Sequence, residues 1–80
     1  MKEMIVNALK TRLLGQMNGH IANIEAMLNN PVGVGDHPTI VETIDKELGA
    51  LEHANGKLNV LIKYIERPKQ EQIAKEDNDG

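Results

Sequence analysis

The sequence predicts an all-α protein: an antiparallel two-helix hairpin that dimerises into a four-helix bundle. Three observations carry this. Two long stretches space their apolar residues three and four apart, which is the signature of a helix face. A break rich in Pro and Gly separates them. Alternation of period two, which a strand would need, is absent from the chain.

The first stretch, residues 2 to 29, reads as one helix. Leu14, Met17, Ile21, Ile24 and Leu28 keep the 3, 4 spacing. Before Leu14 the register shifts, and Ile5, Val6, Leu9 and Leu13 form the apolar face. Such a shift resembles a stutter, which locally unwinds a coiled coil.

Residues 30 to 37 read as a turn. Pro31 disfavours helical geometry at Asn30, and Gly33 and Gly35 permit positive φ. Either Asp36, or Thr39 with Glu42 three residues on, can cap the following helix. Pro38 suits a first helical turn.

The second helix, residues 38 to 66, carries the clearest signal. Val41, Ile44, Leu48, Leu51, Asn55, Leu58, Ile62 and Ile65 are spaced as an a/d heptad seam with one polar member. The flanks are polar, and Glu42 and Lys46 sit four apart in the favourable order for a surface pair. Pro68 ends the helix. Continuing the seam would place Lys69, Gln72 and Glu76 at core positions, so residues 68 to 80 are expected to form a polar, disordered tail. The hairpin domain is residues 1 to 67.

Composition narrows the function classes. The chain has 80 residues, no cysteine and a net charge of −3. A chain this short has a marginal core and recovers stability from disulfides, a metal or oligomerisation. Without cysteine, oligomerisation is the expected route. The apolar runs never exceed three residues, whereas a signal peptide needs roughly 7 to 15 and a membrane span about 20. A cytoplasmic location without membrane contact is expected. The mild negative charge and a single aromatic residue, Tyr64, argue against nucleic acid as a partner.

Geometry argues for more than one copy. Two helical rods touch along one line, yet Ile40, Ala54 and Leu61 in the second helix, and Leu13 and Met27 in the first, widen the apolar stripe at g positions. Apolar a, d and g positions suit a bundle of three or four helices. A hairpin supplies two, and a two-fold dimer supplies four.

Asn55, at an a position, reads either as a buried amide that fixes oligomer state or as a residue at a wet edge. Gly15, Gly19, Gly49 and Gly56 each weaken a helix interior by about 1 kcal/mol relative to Ala. Close approach by another helix is one account of them, and tolerated flexibility is the simpler one. His20, His37 and His53 do not converge in an antiparallel hairpin, where His20 falls opposite residue 47, and no His-x-x-x-His pair exists. The Val32-Gly33-Val34-Gly35-Asp36 segment lacks the Gly-Lys-Ser/Thr ending of a phosphate loop. The chain has no serine and no Glu-x-x-His motif. No catalytic residue, cofactor or metal is expected.

The stretch from Leu28 to Glu42, with Asn30-Pro31-Val32-Gly33-Val34-Gly35-Asp36-His37-Pro38 at its centre, resembles small proteins of marine tailed phages of the myovirus type. The resemblance covers the turn and second helix and implies a viral protein in the host cytoplasm; the family brings no activity with it. The architecture also resembles, in shape alone, dimeric helical-hairpin RNA-binding regulators of plasmids. Two functions follow as expectations: a homo-oligomeric protein that contacts itself and an unidentified protein partner, as a phage accessory or structural factor, and alternatively a nucleic-acid-binding hairpin regulator that uses Lys2, Lys10 and Arg12.

Overall fold

The computed structural model describes residues 1 to 29 and 37 to 67, with the side chains of His37 and Pro38 excepted. Pro31, Gly33, Gly35, Asp36 and the tail from Pro68 onward lie outside the described residues.

Helix α1 runs Lys2–Asn29 and helix α2 runs His37–Val60; α2 continues directly into a π-helix over Leu61–Glu66. The described residues are otherwise without regular structure, and they contain no strand. In the first turn of α1 the Met1 carbonyl accepts from Ile5 N–H at 3.1 Å. It ends one residue before the Asn30–Pro31 step, where the helical region becomes unfavourable. In α2, Pro38 lies in the first turn, where a missing N–H leaves no intrahelical bond unmade. The Thr43 hydroxyl donates back to the Thr39 carbonyl at 2.7 Å, a local bond that lets a β-branched polar residue sit on a helix.

The helices run antiparallel. Lys10 near the start of α1 meets Glu66 at the end of the π-helix, and His20 further along α1 meets Glu47 further back on α2. The core between them is thin. Val6, Leu13, Ala54, Leu58 and Leu61 are buried, with Met17 and Ile62 packed against them, and no side chain among the described residues is fully enclosed.

The line of contact differs from the expected seam. Half-buried or buried positions on α1 are Val6, Lys10, Leu13, Met17, His20, Ile24 and Met27. On α2 and the start of the π-helix they include Ile40, Ile44, Glu47, Leu51, Ala54, Leu58 and Leu61. Both rows keep the 3, 4 spacing, but they join the expected d residues to the g residues beside them. The expected a residues Leu14, Ile21 and Leu28 on α1, and Val41, Leu48 and Asn55 on α2, are exposed. The reason lies in what the g positions offer. Ala54 is small enough for close approach, and His20 and Glu47 satisfy each other across the contact. Asn55 at an a position makes no side-chain hydrogen bond with another described residue.

A second difference is the π-helix. Arg67 N–H reaches back five residues to the Ile62 carbonyl at 2.9 Å, and Arg67 adopts φ 52°. A π turn takes in one more residue than an α turn. Ile65, expected in the seam, is therefore turned out to 48 % exposure, and Glu66 is turned in. Arg67 precedes Pro68, and a residue in that place avoids right-handed helical geometry.

Candidate functional site: an apolar face across both helices

One wide face of the hairpin gathers an apolar stripe from each helix. On α1 each exposed apolar residue of the stripe follows a contact residue directly: Leu14 after Leu13, Ile21 after His20, Leu28 after Met27. On α2 the same step leads from Ile40 to Val41, from Glu47 to Leu48 and from Ala54 to Asn55. One residue is a rotation of about 100°. Two antiparallel helices are related by an approximate two-fold axis normal to the plane that contains them. An equal step in each helix's own direction therefore arrives on the same side of the hairpin.

Leu14, Ile21, Leu28, Val41 and Leu48 thus share one broad face. Their exposure runs from 38 % for Ile21 to 69 % for Val41. The half-buried d residues Met17, Ile24, Ile44 and Leu51 lie between the two stripes. Along α2 the stripe passes from Val41 and Leu48 to the exposed Asn55, so the face grows more polar away from the turn.

The opposite face mixes charged and amide groups with exposed apolar side chains, Leu9 at 41 % exposure among them. A cleft there is lined by Leu9, Arg12, Leu13, Gln16, Lys57 and Leu61. Asn23 lies on the same side and donates to the Glu47 carboxylate at 3.4 Å. That carboxylate also accepts from His20 Nδ1 at 2.7 Å. The His20 hydrogen bond holds the Glu47 carboxyl below its ordinary value; partial desolvation acts against it, and the Asn23 bond and the His20 charge add to the lowering. At the open end of the hairpin Lys10 Nζ donates to both Glu66 oxygens, at 3.1 and 3.0 Å.

Of the expected seam residues, Met17, Ile24, Ile44, Leu51, Leu58 and Ile62 lie at or beside the contact between helices; Leu14, Ile21, Leu28, Val41, Leu48, Asn55 and Ile65 do not. His53 is exposed on the far side of α2. Among the described residues no group of three acidic or histidine side chains is placed to hold a metal ion. No helix among them is long and apolar enough to cross a membrane. Sequence reasoning placed His20 opposite residue 47 but identified neither cross-helix pair. The available signal was a charged residue at seam spacing, Lys10 and Glu47, which a half-buried position tolerates only with a partner.

No protein-family model matches the chain, and neither a curated protein nor a solved structure matches it.

Proposed function

We propose that the chain is a non-enzymatic interaction protein, a two-fold dimer in which two hairpins pack their apolar faces together as a four-helix bundle. The observation that carries this is the placement of Leu14, Ile21, Leu28, Val41 and Leu48 on one side of the hairpin, at exposures a finished core would not leave. The size of the face also fits. Helices of about 40 Å at 8–10 Å separation present on the order of 800 Å², and a standard interface takes roughly 800 Å² from each partner. A second copy matches this face by symmetry, because the same stripe recurs on it. The role is that of an accessory or structural factor, in line with the phage-like turn, acting in the cytoplasm of a host through an unidentified protein partner. Thermal unfolding across a range of protein concentrations tests the dimer. The midpoint rises with concentration if folding and association are linked, and a concentration-independent midpoint contradicts the proposal.

A second reading, a nucleic-acid-binding hairpin, has one observation in its favour. Arg12 and Lys57 line the same cleft on the opposite face, which stays open in such a dimer. A mobility shift at low salt that weakens as salt rises supports it, and no shift removes it.

A further inference from the structure

The six residues that follow α2 hold a conflict between two registers. The apolar spacing runs unbroken through Leu58, Leu61 and Ile65. An α-helix continued at that spacing would carry Ile65 to the contact with α1, beside Val6. The structure instead makes a π turn: Arg67 N–H bonds to Ile62, Ile65 stands outside, and Glu66 turns inward to Lys10. We infer that Leu61–Glu66 is a two-register element, and that the Lys10–Glu66 pair selects the π register over an α register in which Ile65 is stored in the seam.

The opposing contributions can be named. Burial of Ile65 favours the α register. The π register is favoured by the ion pair, whose partners are each about 30 % exposed. It is also favoured by Pro68, which disfavours the right-handed conformation at Arg67. Neither side is overwhelming. An ion pair at this exposure is weak, the apolar area at stake is one side chain, and Arg67 in the left-handed region carries a cost that glycine would not. An element held by contributions this small is one that a single substitution can tip.

The consequence is control over what the outer side of α2 presents. In the π register Ile65 joins Val60 along a groove floored by Gly49 and Gly56. In the α register Ile65 leaves that groove and Glu66 returns to water.

Nuclear magnetic resonance on the full chain tests this. Tyr64 is the sole aromatic residue and adjoins Ile65, so its ring signals report the register without any label. In the unaltered chain the Ile65 methyl should broaden strongly with a soluble paramagnetic agent and show no contact with Val6. Lys10→Met removes the pair and keeps an apolar stem. It should protect Ile65 several-fold, bring its methyl into contact with Val6 and shift the Tyr64 ring signals. Glu66→Gln, which keeps the side chain's shape, should do the same and guards against a folding defect in the first variant. Adding Ile65→Gln to Lys10→Met should restore the original Tyr64 signals, because the α register then has nothing to bury. An Ile65 methyl that stays equally exposed in both single variants while helicity is retained overturns the inference. So does an Ile65 methyl already protected in the unaltered chain.

Discussion

Glu47 on α2 accepts a hydrogen bond from His20 Nδ1 on α1 at 2.7 Å, at matching seam positions where each hairpin helix would otherwise place an apolar side chain. The pair is half-buried, with side chains 30 and 23 % exposed. It acts as a register mark: sliding one helix along the other by a turn would leave both groups facing aliphatic neighbours.

This pairing gives a pH dependence with a definite sign. The folded-state value of Glu47 is lowered, chiefly by the His20 hydrogen bond. A depressed carboxylate contributes stability that is fully present above its unfolded value and is lost as pH falls through the folded one. The stability difference between the unaltered chain and Glu47→Gln should therefore shrink as pH falls below the ordinary value near 4.5. Urea unfolding at a series of pH values measures the difference.

Substitutions on the apolar face and in the seam should separate association from folding. Ile21→Glu with Leu48→Glu places four like charges in the proposed dimer contact, and should yield a monomer of lower thermal stability. Leu58→Ala lies in the buried cluster and should destabilise by about 2 kcal/mol or more, the range for deleting a buried leucine. Light scattering and denaturant unfolding distinguish the two effects.

The helix-interior glycines give an independent check on which side is covered. A Cβ built at Gly15, Gly19, Gly49 or Gly56 meets nothing within 4 Å. These residues also lie away from the apolar face, so the proposed bundle leaves them in water. Gly15→Ala and Gly56→Ala should each stabilise the protein by about 0.5–1 kcal/mol. Destabilisation, or loss of association, would mean that a second helix packs on the outer side.

Asn55 is the polar member of the face and is exposed in the single hairpin. Asn55→Leu should raise the thermal midpoint of the oligomer. If the amide fixes association state, as single polar a residues do, the variant should also populate larger assemblies in sedimentation velocity.

The hairpin was legible because helix periodicity and breakers act locally. The first helix was expected at residues 2 to 29 and spans Lys2–Asn29, and the second begins at His37, one residue before its expected start. The rotation of each helix was not legible. A stripe of a, d and g residues is broad enough to turn either edge toward its neighbour, and the choice was made by pairs that span the helices: Ala54 allowing approach, His20 meeting Glu47. The π turn was hidden for a similar reason. Leu58, Leu61 and Ile65 look like an uninterrupted α pattern, and only the combination of Lys10 at a seam position, Glu66 one residue past Ile65, and Pro68 two beyond that marks the departure.

Sedimentation equilibrium of the full chain at micromolar to sub-millimolar concentration bears most directly on the central claim. A mass of twice the 8.8 kDa chain, reverting to the single-chain value in Ile21→Glu with Leu48→Glu, is the predicted result. A single-chain mass throughout, with full helicity retained, would contradict it.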